Sequence, residues 1–209
     1  MKVDPTNLGE VLACAGIARL LGPLAQTGFE GDEFICPPLD QLTPSLAVTR
    51  HGLRLCGHSI DWWQPWSLNP GLKFWAGRQT VETVHRSAVQ AATGSVHDWL
   101  TVTAGLQGRL GVDARAGWDA VSLGWSLDDQ AQHQIAGRPW LEILASFGLQ
   151  AFPVAGDKRD GYRYHTWRYS HLPTAVAAFS GYGLYSGPGY CARTAKNGSN
   201  TYLLPAQPI

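Results

Sequence analysis

One short pattern occurs twice in this chain of 209 residues. The first copy reads Glu10-Val11-Leu12-Ala13-Cys14-Ala15-Gly16-Ile17-Ala18-Arg19-Leu20. The second, offset by 132 residues, reads Glu142-Ile143-Leu144-Ala145-Ser146-Phe147-Gly148-Leu149-Gln150-Ala151-Phe152. Each reads as a buried helix with a stripe of small residues, because Ala13 and Gly16, like Ala145 and Gly148, lie three apart on one face. Glycine in a helix interior costs roughly 1 kcal/mol against alanine. A glycine held at the same place in both copies therefore points to a neighbour that packs close there, either a sheet or a second helix. Duplication and coincidental likeness of two apolar helices are both open at this level.

The length suits one large domain or two small ones and can bury a sizeable core. No run of 18 apolar residues is present, so no transmembrane helix is expected. Met1-Lys2-Val3-Asp4-Pro5 lacks a basic stretch leading into an apolar run, so no signal peptide is expected. Cys14, Cys36, Cys56 and Cys191 lie far apart with no Cys-x-x-Cys, which argues for reduced thiols in a cytoplasmic protein and against a zinc site. The net charge is zero but unevenly placed. Residues 1–49 sum to −4, residues 50–115 to +3, residues 116–157 to −4 and residues 158–209 to +5. A neutral chain with a basic end can bind phosphate locally. Charged residues make up only 15% of the chain while tryptophan occurs nine times, so a Trp-rich surface suited to protein contacts is expected.

The first repeat helix is expected over residues 8–21, with Asn7 and Glu10 as a relaxed capping box and Gly22-Pro23 as the stop. Residues 29–36 read as one strand ended by Pro37-Pro38, and residues 46–50 and 53–55 as strands around His51-Gly52. Residues 59–66 read as an aromatic-rich strand. An amphipathic helix is expected over residues 73–92, with Phe74, Gly77, Val81, Val84, Ala88 and Ala91 on one face. Arg78, Glu82 and Arg86 fall beside that face at four-residue steps that permit ion pairs. Residues 96–106 fit helix or strand equally. Residues 110–115 and 120–126 read as a strand pair, and residues 128–137 as a polar loop.

The second repeat helix begins with Pro139 at its first position and ends before Pro153. Residues 161–169 alternate as a strand, with Tyr162, Tyr164, Thr166 and Arg168 opposite Arg163, His165, Trp167 and Tyr169. A short helix follows over residues 173–179, then a glycine-rich turn region over residues 182–189. A final hairpin over residues 190–204 turns at Asn197-Gly198. Without a linker, the chain reads as one α+β domain of antiparallel sheets backed by helices. Its two pseudo-repeated ferredoxin-like halves span roughly residues 1–110 and 111–209, each with its repeat helix backing an antiparallel sheet, so that Gly16 and Gly148 are expected to mark close helix–sheet contacts.

Catalytic signatures are sparse. The chain has no Walker loop, no Gly-x-Gly-x-x-Gly after a strand, no Gly-x-Ser-x-Gly and no His-Glu-x-x-His. Asp128-Asp129 fits a turn or helix cap. Asp61, Asp113 and Asp128 are the acids that a metal-dependent nuclease would need, as the minority reading; no metal, cofactor or catalytic residue is assigned. The basic residues carry more. Lys73, Trp75 and Arg78 open a helix after Asn69-Pro70-Gly71, where backbone N–H groups favour phosphate. Lys158, Arg159, Arg163, Arg168, Arg193 and Lys196 crowd the last quarter with Tyr162, Tyr164 and Trp167. Cations neutralise phosphates and aromatic faces stack bases; a solvated basic strand and hairpin is the plainer account of the same spacing.

Several stretches taken in order carry a family resemblance: Val3-Asp4-Pro5-Thr6-Asn7-Leu8-Gly9-Glu10 into Ala13-Cys14-Ala15-Gly16, Leu72-Lys73-Phe74-Trp75-Ala76-Gly77-Arg78-Gln79, Val112-Asp113-Ala114-Arg115, Leu123-Gly124-Trp125-Ser126-Leu127-Asp128, and the second repeat followed by Tyr162-Arg163-Tyr164-His165-Thr166-Trp167. Together they resemble a CRISPR-associated family of the type I-U (I-G) systems. The resemblance implies a non-catalytic subunit of an RNA-guided, DNA-targeting surveillance complex. In such complexes the guide RNA reads sequence while proteins hold backbones. Implied partners are other effector subunits, guide RNA and target DNA. The resemblance adds Arg115 to Lys73 and Arg78 as nucleic-acid contacts, with core and turn roles for Trp75, Gly77 and Asp113 as the structural alternative. A scaffold subunit with little nucleic-acid contact is the other reading within the same assembly.

Overall fold

The computed structural model describes residues 1–49, 52–61, 72, 81–108, 110–114, 125, 129, 132–133, 136–197 and 200–209. The protein is α+β. Its described helices are α1 (Leu8–Leu21), α2 (Val81–Ala91), α3 (Pro139–Leu149) and α4 (Leu172–Phe179). The strands begin with β1 (Gln26–Glu30), β2 (Glu33–Ile35), β3 (Leu46–Val48), β4 (Gly52–Leu55), β5 (His58–Asp61), β6 (Ala104–Gly105) and β7 (Ala136–Gly137). The last quarter adds β8 (Ala155–Asp157), β9 (Gly161–Trp167), β10 (Ser170–His171), β11 (Ser186–Ala192), β12 (Thr194–Asn197), β13 (Asn200–Leu203) and β14 (Gln207–Pro208).

The two copies of the repeat are α1 and α3, and each is the other's close neighbour. A Cβ placed on Gly16 would collide with the carbonyl of Leu144, and one on Gly148 with the carbonyl of Leu12. Leu12 and Leu144 occupy the same place in the pattern, as do Gly16 and Gly148. The contact is therefore reciprocal, as in a two-fold dimer interface, but inside one chain. This corrects the expectation that the glycines mark helix–sheet contacts: the packer is the other helix. Both helices are buried along almost their whole length.

They lie side by side in the same direction. Arg138, the N-cap residue of α3, bonds Glu10 in the first turn of α1 at 2.8 Å. At the other end Arg19 Nη1 donates to the carbonyl of Phe147 at 3.0 Å. Parallel helix dipoles repel, because like partial charges meet at each end. The sequence answers with Glu10 and Glu142 in the two first turns and Arg19 in the last turn of α1.

A strap over residues 110–114 crosses the paired N-termini. Leu110 N donates to Glu142 Oε2, and Asp113 takes the Arg138 guanidinium through both carboxylate oxygens, with Nε at 2.7 Å. Asn7 caps α1 by accepting from Gly9 N at 3.0 Å and donates from Nδ2 to Asp113 at 2.9 Å. Glu10 closes no capping box: it accepts from Asp4 N at 2.7 Å. Burial lowers the Arg138 pKa, but the hydrogen bonds and charges of Asp113 and then Glu10 together outweigh it and hold the group above its ordinary value. The strap is not the strand expected over residues 110–115; its partners are side chains rather than a neighbouring ladder. The partner strand expected over residues 120–126 lies outside the described residues except for Trp125.

Helix α2 packs on α3 through His85, whose Nε2 lies against Ser146 Oγ. Ser146 donates to the Glu142 carbonyl at 2.9 Å, so its lone pair accepts the imidazole proton. Burial pushes the His85 pKa down from 6.5 to about 3. Of the helix expected over residues 73–92, only the part from Val81 onward is described; the Glu82–Arg86 pair forms at 2.6 Å.

The sheets are small and antiparallel, in the orders β10-β1-β2, β3-β4-β5, β6-β7, β14-β11-β9-β8 and β12-β13. β10 pairs with β1 across the expected half-boundary, so two separate ferredoxin-like halves do not emerge among the described residues. Three local corrections follow. Residues 29–36 are not one strand, because β1 turns at Gly31-Asp32 into β2. The turn region expected over residues 182–189 gives way to β11 at Ser186. Trp99, Trp140 and Trp167 are core residues rather than surface ones. Trp167 sits between Phe29, Phe34 and Phe152, with ring centroids 4.8, 5.9 and 5.2 Å away, and so joins β9 to the β1–β2 hairpin.

Gly16→Ala and Gly148→Ala are each expected to lower stability by about 1–3 kcal/mol through overpacking; an unchanged urea midpoint would rule out backbone contact between α1 and α3. Arg138→Leu leaves two buried carboxylates without their cation and is expected to cost about 3–5 kcal/mol by the same measurement. His85 adds a pH dependence. The unfolded chain takes its proton near pH 6.5 and the folded one only near pH 3. Between those values the unfolded state binds more protons, so stability falls as pH is lowered, by up to about 1.4 kcal/mol per pH unit from this group. Denaturant titrations of His85→Gln at pH 4.5 to 6.5 are expected to show that slope reduced by one proton.

Candidate nucleic-acid interface

The β8–β9 hairpin turns through Asp157, Lys158, Arg159 and Asp160. Asp157 Oδ1 accepts from Arg159 N at 2.7 Å and Asp160 N at 2.9 Å, which fixes the turn. Those bonds, from Asp160 and then Arg159, hold the Asp157 carboxyl below its usual range. Gly156 and Gly161 flank the turn at φ +88° and +87°, values that side-chain-bearing residues rarely adopt. Thr194 Oγ1 donates to the Lys158 carbonyl at 3.1 Å and ties the β12–β13 hairpin to this turn.

An open cavity of about 990 Å³ lies between these two hairpins and the end of α3. Lys158, Arg159 and Lys196 line it, with Thr194 and Thr201 between them. The opposing chemistry is apolar: Leu72, Leu149 and Val154 form part of the lining, and the buried ring of Tyr162 completes it. Burial, and then the Asp157 charge, push the Tyr162 pKa up. Asp157 is the acid among these lining residues, and its Oδ1 is occupied by the turn.

The basic residues singled out in the sequence thus divide. Lys158, Arg159 and Lys196 share the cavity. Arg163 is exposed on β9 opposite Cys191, and the Arg193 side chain passes beside Gly161, so both stand at the same end of the sheet. Arg168 is exposed at the far end of β9, roughly 17 Å from Arg163 at about 3.3 Å per strand residue. Among the described residues Arg159, Arg163, Arg168, Arg193 and Lys196 form no ion pair. Lys73, Trp75, Arg78 and Arg115 lie outside the described residues.

The expected aromatic stacking face is corrected. Tyr162, Tyr164 and Trp167 turn inward, leaving Arg163 outward and His165 half-buried. Tyr164 donates its hydroxyl to the Pro5 carbonyl at 2.9 Å, and burial raises its pKa well above the ordinary value. Among the described residues the exposed aromatics are instead Trp125, Tyr169, Tyr182 and Tyr185, and of these Tyr169 and Tyr185 flank Arg168, whose N–H donates to the Tyr185 carbonyl at 2.7 Å. The cavity walls at Leu149, Val154, Thr194 and Thr201 went unread in the sequence. The legible signal was Asp157-Lys158-Arg159-Asp160-Gly161, a turn that presents two cations.

The acids weighed for a nuclease are placed otherwise. Asp113 is buried under Arg138 and Asn7. Asp61 ends β5 on the surface, its backbone carbonyl accepting from Gln150 at 2.8 Å. Asp128 lies outside the described residues, as does His51. Among the described residues no three His, Cys, Asp or Glu side chains group as a metal site, and the four cysteines are unbridged. No described helix is long and apolar enough to cross a membrane.

Comparisons with models of known protein families, with curated proteins and with solved structures find no match to this chain.

Proposed function

We propose that the chain is a non-catalytic subunit of a cytoplasmic, RNA-guided DNA-targeting complex of the type I-G CRISPR kind, holding guide RNA or target DNA by its phosphates. The kind of complex comes from the ordered resemblance of its sequence segments. The contact comes from one observation: Lys196 meets the adjacent pair Lys158 and Arg159, 37 residues earlier in the chain, on one cavity whose described lining holds three cations against one carboxylate, Asp157. Cations gathered this way neutralise phosphates and release counterions, which makes binding salt-dependent. Arg163 and Arg193, exposed at the same end of the sheet, extend the positive surface along a backbone.

A second reading, a scaffold subunit that binds neighbours with little nucleic-acid contact, draws on the exposed Tyr182, Leu184 and Tyr185 beside Tyr169. Aromatic residues in such a setting are typical of protein interfaces.

Triple reversal Lys158→Glu, Arg159→Glu, Lys196→Glu separates the two. The first reading expects at least a tenfold loss of affinity for RNA or DNA at low salt, and a slope of log Kd against log salt reduced by about two to three, at about 0.7–0.9 per phosphate contact. Unchanged nucleic-acid binding would favour the scaffold reading. A wild-type chain that ignores RNA and DNA at low salt, alone and in its assembly, would sink the first reading.

A further inference from the structure

The cavity holds more than charge. Simple phosphate-backbone contact needs only a basic surface, yet Lys158, Arg159 and Lys196 stand over walls built from Leu72, Leu149 and Val154. Its volume, about 990 Å³, lies at the upper end of the ~300–1,000 Å³ usual for ligand sites. Resting on the nucleic-acid reading, we infer that this cavity takes a nucleotide unit whole: the phosphate on Lys158, Arg159 and Lys196, the sugar edge on the Thr194 and Thr201 hydroxyls, and the base against Leu149 and Val154.

Such a site selects an unpaired nucleotide. In a duplex the bases are stacked and their faces cannot reach an apolar wall, whereas an unpaired base presents its face freely. Charge alone works the other way. A duplex carries the denser array of phosphates and releases more counterions per contact than a single strand does. A preference for single strands at matched salt therefore cannot come from the cations alone and reports the apolar wall. The same unit chemistry belongs to a free nucleotide and to one unpaired position of a strand, so the test includes both.

Full-length protein is titrated at one salt concentration with a single-stranded ten-nucleotide DNA, its RNA counterpart, a blunt ten-base-pair duplex, AMP, UMP and inorganic phosphate. Single strands are expected to bind at least tenfold tighter than the duplex. Val154→Trp and Thr201→Tyr narrow the cavity from two different elements without changing charge. Each is expected to weaken single-strand binding by about tenfold, within the range a base contact supplies, and to leave duplex binding unchanged, with near-ultraviolet circular dichroism confirming the fold.

Competition by AMP or UMP at micromolar concentration would assign the site to a soluble nucleotide. Competition by the strand alone would assign it to an unpaired strand position; both outcomes support the inference. Inorganic phosphate competing as well as AMP would overturn it. So would a single-strand preference that survives both narrowing variants. Equal binding of strand and duplex, both lost on Lys158→Glu, Arg159→Glu, Lys196→Glu, would overturn the nucleotide site while leaving the phosphate-contact reading intact. Binding of no probe would remove both.

Discussion

Backbone contact between α1 and α3 is the constraint on which the rest of the structure depends. Gly16 and Gly148 bring two parallel helices close enough that any side chain at either place would strike the opposite main chain. That approach aligns two helix dipoles, an arrangement that is unfavourable unless both ends are compensated. The buried Arg138–Asp113–Glu10 group and the Glu142–Leu110 bond meet the need at the N-terminal end, and Arg19 meets it at the other. The interactions are mutually dependent. The glycines allow the approach, the approach requires the charges, and the charges hold the strap of residues 110–114 in place.

The last quarter of the chain hangs from this pair. α3 runs to Leu149, and Phe152, a few residues on, packs on Trp167 and Phe179. From that aromatic centre β9 runs out with its rings inward and Arg163 outward. The inward turn of Tyr162 and Tyr164 costs the protein a stacking platform on that strand but seats the sheet firmly. The cavity forms between the β8–β9 turn and strands β12 and β13. Cations on a hairpin turn and a neighbouring strand above a packed aromatic centre suit a binding site, because loops positioned by a packed scaffold carry function without carrying the fold.

The elements that were legible in the sequence share a property: their signals are local. α1 has the expected ends because Asn7 caps one terminus and Gly22 the other within a single turn. α3 begins at Pro139 as expected for the same reason. The hairpin of β12 and β13 falls within the span expected for it. The misses arose where a local pattern was satisfied by distant partners. Leu110, Val112 and Ala114 alternate like a strand, yet Leu110 N–H donates to the Glu142 carboxylate and Asp113 accepts from Arg138. Residues 29–36 instead carry their turn signal locally, Gly31-Asp32 between the paired Glu30 and Glu33. In the candidate site the cations were legible as a cluster in sequence, but not their division between the cavity and the far end of β9.

By itself the sequence determined that two like helices exist, that each carries a glycine at the same register, that β9 alternates and that the C-terminal quarter is basic. Capping, periodicity and charge counts act over a few residues, so they can be read without a partner. Tertiary structure decided that each glycine faces the other copy, that Arg138 reaches Glu10 across 128 residues of chain, and that Lys196 joins Lys158 and Arg159 while Arg168 does not. Those outcomes rest on burial and on the pairing of buried charge. Both are properties of which surfaces meet, and the chain settles that only when it closes on itself.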